Sequence, residues 1–239
     1  FRVGAASVDI TPDRPMFLYG YPHVPRRSTG THDPLSASAV FLEDARGAAL
    51  IVAVDILFVA TESVARCRAR LQAQTGIDPA RVMISATHTH SGPVTAAQLA
   101  FRADPVVPPV DPAYLAFFEA QIVAAGVAAW KNRVPAEAAA RAVRIEGVGG
   151  NRLDPNGAAD REAGLLLYRR TDTKAPIAMH LVYSMHPTVL HEDSTLVSGD
   201  FPGLAKRRLV DAFPGLVPLY HLGPAGNQSP RYSVRAQTF

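Results

Sequence analysis

Three short apolar runs, 82–86, 177–183 and 216–222, each lead into a loop of Gly, Pro and small polar residues, and this repetition most constrains the fold. Runs of that length bounded by turn residues read as strands rather than helices. The first ends in Thr87-His88-Thr89-His90-Ser91-Gly92-Pro93. In an extended segment residues i and i+2 share a face, so His88 and His90 can enter one cleft while Thr89 faces away. Such a pair alone is a weak signal, because two neutral imidazoles can equally sit hydrogen-bonded at a strand end. A second run repeats the layout: His186 falls just past the strand at 177–183, and Asp200 and Pro202 then mark a helix start with Asp200 as its cap. The third places Ser229 in the glycine-rich loop Gly223-Pro224-Ala225-Gly226-Asn227-Gln228-Ser229-Pro230.

Strand-like and helix-like segments alternate along the rest of the chain, which predicts the α/β class. Residues 36–43 and 48–54 flank the turn Asp44-Ala45-Arg46-Gly47 as a predicted hairpin, so the sheet structure is mixed and partly antiparallel. A helix is predicted at 61–74, stopping at Gly76. Asp111-Pro112 opens a second, whose Leu115, Phe118, Ile122 and Ala125 form an apolar stripe reaching Trp130. That stripe reads as a core face rather than a cofactor site. Further strands are predicted at 138–145 and 164–168, and a helix at 201–213. Residues 15–31 and 104–111, rich in Pro, read as long loops near the cleft. No linker divides these elements, so residues 1–239 are expected to form a single domain.

Composition narrows the function. With 239 residues and 48% apolar content the chain can build one large α/β core. A formal charge of +3 and arginines scattered without interleaved aromatics argue against a nucleic-acid partner. Cys67 is the lone cysteine, which excludes an internal disulfide and a cysteine-based zinc cluster. No apolar stretch is expected to reach the ~20 residues that span a bilayer, and Asp55 interrupts the most hydrophobic run at 48–60. A soluble unit is therefore expected.

Taken in order, the motifs resemble the neutral (non-lysosomal) ceramidases. The resemblance rests on Val3-Gly4 with Asp9-Ile10-Thr11, Gly30-Thr31-His32-Asp33-Pro34-Leu35, Val54-Asp55-Ile56, the Thr-His-Thr-His-Ser-Gly-Pro run, Asn151-Arg152, the His186 segment through Asp200, and Gly226-Asn227-Gln228-Ser229-Pro230. It implies two sheets packed between helices and a zinc-dependent hydrolase of an N-acyl sphingolipid or related amide. Zinc would be held by His88 and His186, with His90 lining the site and Arg152 and Ser229 in the active centre. It also implies a small-molecule or lipid substrate, peripheral contact with membrane lipid, and a secreted or periplasmic location. Two departures touch the substrate cleft: the family's Gly-Asp-Val-Ser-Pro loop reads Gly-Asn-Gln-Ser-Pro here, and the segment between Arg152 and Asp160 is shorter. The family completes its zinc sphere with a glutamate and a tyrosine from later in the catalytic domain. No residue here takes those roles, so the domain is expected to be incomplete at its C-terminal end. Glu192 and Asp193 would be the first substitutes.

Each assignment has a structural counterpart. His88 and His186 could be buried structural histidines, though their joint occurrence favours ligands. Structural or surface roles are expected for His23, His180, His191 and His221, and a turn role for His32. Asp55 either orients a histidine ligand or is a buried carboxylate satisfied by backbone donors. Arg152 could pair with Asp154 or Asp160. Ser229 could be a nucleophile, which requires an adjacent base, or could serve the loop alone. Related ester or small-amide hydrolysis, and non-catalytic binding with an incomplete metal sphere, remain the alternatives.

Overall fold

The computed structural model describes residues 1–98 and 104–231, so the last segment of the expected domain lies outside the described residues. Eight strands carry the fold: β1 (Arg2–Asp9), β2 (Ser36–Asp44), β3 (Gly47–Val54), β4 (Val82–Ala86), β5 (Val134–Arg144), β6 (Glu162–Arg170), β7 (Pro176–Tyr183) and β8 (Val217–Leu222). They hydrogen-bond in the order β8-β7-β6-β5-β1-β2-β3-β4. The outermost pairs, β3 with β4 and β7 with β8, are parallel, and all pairs between them are antiparallel.

This mixed sheet is folded over on itself. β5 pairs with β1 through Val134 and Pro135, and then from Ala136 onward pairs with β6 instead. The chain thereby makes two facing layers, β1 to β4 and β5 to β8. Val3, Ala5, Val40 and Ala53 of the first layer pack against Ala136, Tyr168, Ala178 and Leu219 of the second. Helices close the outside. α1 (Thr61–Thr75) and α2 (Pro112–Lys131) cover the first layer, and α3 (Asp200–Ala212) packs on β8. Leu50, Leu71, Phe118 and Ile122 are fully buried between α1, α2 and the sheet, where truncating one leucine or isoleucine to alanine costs about 2–5 kcal/mol. α2 lies hard against β1: a Cβ added at Gly4 would stand 2.0 Å from the Ala129 carbonyl oxygen.

The local sequence signals account for these elements. The hairpin turns at Ala45 and Arg46 as expected, α1 ends on Gly76 in the left-handed region (φ 75°), and Asp111 caps α2 by accepting from Ala113 N and Tyr114 N. β5 and β6 extend beyond their predicted limits, and β1 was not among the predicted strands. Two expectations need correction. α2 has 20 residues, 18 of which in a row have a mean hydropathy of 1.4, so a helix long and apolar enough to cross a bilayer by length and composition does exist. Its buried Phe118, Ile122 and Ala125 pack in the core. Asp200 is not the cap of α3; Gly199 holds that position, and Asp200 is the first helical residue, with φ 55°. Its carboxylate accepts from Phe201 N at 2.7 Å and also from the backbone of the 189–190 loop, described below.

Candidate metal centre

The loops beyond the carboxyl ends of the two parallel pairs meet at one end of the layered sheet, the usual place for ligands in α/β proteins. Thr87 N donates to Val54 O and His88 N to Ile56 O, which seats the first histidine loop on the end of β3. His186 N donates to Gln228 O, which seats the second on the loop after β8, and His90 N approaches Pro187 O at 3.4 Å. His88 is not extended as the pairing of i and i+2 predicted; its φ is 72°, a left-handed turn. The rings converge all the same. His88, His90 and His186 offer one ligand atom each, all within 4.8 Å of one another, with ring centroids 5.0–5.6 Å apart.

Backbone carbonyls decide which nitrogens are free. His88 Nδ1 lies 3.0 Å from Leu57 O and His186 Nδ1 lies 2.7 Å from Ala225 O. A carbonyl only accepts, so each Nδ1 carries the hydrogen and each Nε2 keeps its lone pair for the centre of the cluster. Burial holds the His88 imidazole below its ordinary value, outweighing the Leu57 carbonyl, and the neighbouring His186 adds to the shift. His90 is 8% exposed and is driven well below its ordinary value, first by burial and then by His88, His186 and Arg26. His88 and His90 are thus neutral at physiological pH. Both ring nitrogens of His90 are buried without a hydrogen-bond partner of good geometry, which a protein interior rarely tolerates unless another ligand completes them. Gathered imidazoles with unused nitrogens fit a zinc ion.

A loop not marked by its spacing packs behind this cluster. Gly20 (φ 134°) lies so close to His90 that an added Cβ would be 2.5 Å from its ring, and the Tyr21 ring stands edge-on to it at 5.0 Å. Arg26 is buried, lies 4.7 Å over Tyr21, and donates from Nη2 to His90 O at 2.5 Å. Burial lowers its pKa to about 10, still charged at neutral pH.

Arg152 and Ser229 form a second group. The strand pair Gly149–Asn151 with Gln228–Pro230 sets Ser229 opposite Gly150, and Arg152 N donates to Asn227 O at 2.8 Å. Both residues line a cavity of about 630 Å³ that also contains Glu146, Arg161 and Arg231. The loop carrying Ser229 also supplies the carbonyls of Ala225 and Gln228 to His186, so the two groups share a wall. Arg152 is exposed, and Asp160 is occupied by Ser184 Oγ and Glu162 N.

Other candidates lie elsewhere. The Asp55 side chain touches no histidine; it is wholly buried and accepts from Ser36 N, Ser36 Oγ and Lys206 Nζ. Glu192 meets His23 at 3.2 Å, Asp193 is exposed, and His32 meets Asp33 at 2.7 Å. Among the described residues the cluster that could hold a metal contains the three histidines and neither Glu192 nor Asp193. Sequence reasoning missed Gly20, Arg26 and Lys206, whose roles depend on contacts with residues far along the chain.

Two β layers between helices, with a histidine cluster at the carboxyl ends of parallel strands, define an α/β protein with a site of metal-binding type. The chain belongs to the neutral/alkaline non-lysosomal ceramidase family, matching its N-terminal portion over residues 1–213. The neutral ceramidase of Pseudomonas aeruginosa superposes with a TM-score of 0.86 at 21% identity, covering 98% of this chain and 40% of that one. A ceramidase complexed with C2 gives the same TM-score at 22% identity, covering 96% of this chain and 38% of that one. At such identity the likeness is one of fold, and this chain spans about two fifths of the length of those proteins. No curated protein matches it.

Proposed function

We propose that this chain forms the histidine-bearing part of a zinc-dependent hydrolase that cleaves an amide, with an N-acyl sphingolipid or related N-acyl lipid as substrate. The observation that carries the reading is the convergence of His88, His90 and His186 with unused ring nitrogens inside a ceramidase fold. His88 and His186 would hold the metal through Nε2, since each Nδ1 is committed to a carbonyl. A zinc ion there supplies Lewis acidity and lowers the pKa of a coordinated water toward ~7.

The remaining work falls to the protein. His90, kept neutral by burial, can donate to a developing oxyanion or pass a proton to the leaving amine. Arg26, donating to the His90 carbonyl, fixes the turn that carries that ring. Arg152 adds a cation at the cavity that Ser229 shares, suited to a substrate oxygen or polar head. Ser229 binds substrate there through its hydroxyl; the reading does not require it as a nucleophile. A membrane-derived lipid substrate, peripheral contact with the bilayer and export from the cytoplasm belong to the same reading.

Assay of paired substrates, a long-chain N-acyl amide and the matching ester, tests this with zinc present and after chelation. Zinc-dependent release of fatty acid from the amide supports it. Ester cleavage alone favours the related esterase, and binding without turnover of either favours a non-catalytic protein.

A further inference from the structure

Three hydrogen-bonded links leave the first half of α3 and the residues just before it, and each ends near a different histidine. Lys206 Nζ donates to both carboxylate oxygens of Asp55, at 2.7 and 2.5 Å, and to Ser36 Oγ at 2.8 Å. Both members of the ion pair are buried. The two residues that follow Asp55 present the carbonyls on which His88 rests, Ile56 O to its backbone and Leu57 O to its ring. The second link runs from Ser198. Its carbonyl accepts from Thr89 Oγ1 at 2.7 Å and its N–H donates to Ser91 O at 3.0 Å, clasping the residues on either side of His90. The third is Asp200, whose Oδ1 accepts from Val189 N at 3.3 Å and Oδ2 from Leu190 N at 2.8 Å, in the loop that follows His186.

The origin of these links is itself held firmly. Asp33, buried beneath it, accepts from Ser198 Oγ and from Gly199 N. A Cβ added at Gly203 would stand 2.6 Å from Asp33 Oδ1, so the helix backbone sits directly on that carboxylate. The left-handed backbone of Asp200 turns its side chain toward the 189–190 loop, a conformation unusual for a residue other than glycine and sustained by the bonds it makes. A buried Lys–Asp pair contributes little net stability, because desolvation offsets the attraction, whereas it does fix geometry.

We infer that residues 198–206 act as a common brace setting the three histidines at metal-binding distance, with Asp200, Ser198 and Lys206 as positioning residues. The inference rests on the metal reading above. Groups that orient metal ligands typically contribute 10–100-fold to metal affinity.

The test is zinc affinity by chelator competition, with the visible spectrum of the Co²⁺-loaded protein and thermal unfolding, in the wild type, Asp200→Asn, Thr89→Val and Glu119→Gln. Glu119 pairs with Arg66 between α1 and α2 and serves as the control for stability alone. The brace requires Asp200→Asn and Thr89→Val to weaken zinc by about 10–100-fold and to change the Co²⁺ spectrum, while Glu119→Gln keeps both whatever its melting temperature. Should Asp200→Asn fail to fold, Thr89→Val, which removes one hydroxyl at constant shape, decides the matter. Zinc affinity equal to wild type in the folded variants overturns the brace and leaves the metal reading standing. So do losses that track melting temperature in all three. A wild-type chain that takes up no zinc overturns the metal reading and the brace with it.

Discussion

Histidines gather in two places in this molecule, and the contrast between them shows how hydrogen bonding rather than burial sets their use. Beyond the strand ends, His88 and His186 give Nδ1 to backbone carbonyls and keep Nε2 for the space they share with His90. Between the sheet layers, His180 of β7 and His221 of β8 stack with ring centroids 5.1 Å apart and bond to each other at 2.8 Å. His221 also meets Ser85 of β4 at 2.9 Å, so both its nitrogens are spent on a link across the layers. Burial depresses the pKa values of His88 and His90 in the first cluster and of His180 and His221 in the second, to about 4 for the latter two. In the first cluster a carbonyl on the far side of the ring leaves Nε2 of His88 and of His186 facing one space, whereas between the layers His180 Nε2 lacks a partner and His221 has no second free nitrogen to share an ion with it.

The largest effect expected from this comparison belongs to the first cluster. His186→Ala should abolish stoichiometric zinc binding and with it turnover, read by elemental analysis of the dialysed protein and by the amide assay. The same truncation between the layers should spare zinc. His221→Ala leaves Ser85 and His180 short of a partner and is expected to cost about 1–3 kcal/mol in chemical denaturation, with zinc content unchanged.

The pair between the layers should also make stability depend on pH. For His180 and His221 the folded values of about 4 lie below the ordinary ~6.5, so the unfolded chain binds more protons between those limits. The stability they contribute is present above pH ~6.5 and is lost as pH falls toward 4. Denaturation midpoints of the zinc-free chain should therefore drop across that window, and His221→Ala should flatten the slope. A smaller effect is expected at the cavity shared with Arg152: Ser229→Ala should retain full zinc while lowering turnover or raising KM, because Ser229 stands apart from the metal-binding nitrogens.

Much of the scaffold was legible because local chemistry dictated it. The Asp44 to Gly47 turn, the stop at Gly76 and the Asp111-Pro112 helix start each depend on a few neighbouring residues, and the structure has all three. The strand-then-loop layout put His88, His90 and His186 at strand ends, and the family resemblance implied that they share a site; the left-handed turn at His88 was not readable. The fold-over at Val134 and Pro135 escaped because it depends on strand pairing across the whole chain. Asp200 looked like a helix cap by its position before Phe201 and Pro202, yet Gly199 is the cap, and the Asp200 carboxylate is shared between Phe201 N and the loop N–H groups of Val189 and Leu190. Asp55 was expected either to orient a histidine ligand or to be buried on backbone donors; Ser36 N is such a donor, but the partner Lys206, 151 residues away, was not readable. Arg26 and Gly20 sit in a loop whose sequence foretold proximity to the cleft and nothing of their contacts with His90.

The central claim, that the cluster at the strand ends is a metal site and the one between the layers is not, is most directly tested by zinc content per chain in the wild type, His88→Ala and His221→Ala, each purified and dialysed identically. The account expects close to one zinc in the wild type and in His221→Ala, and essentially none in His88→Ala. Full zinc in His88→Ala would contradict it.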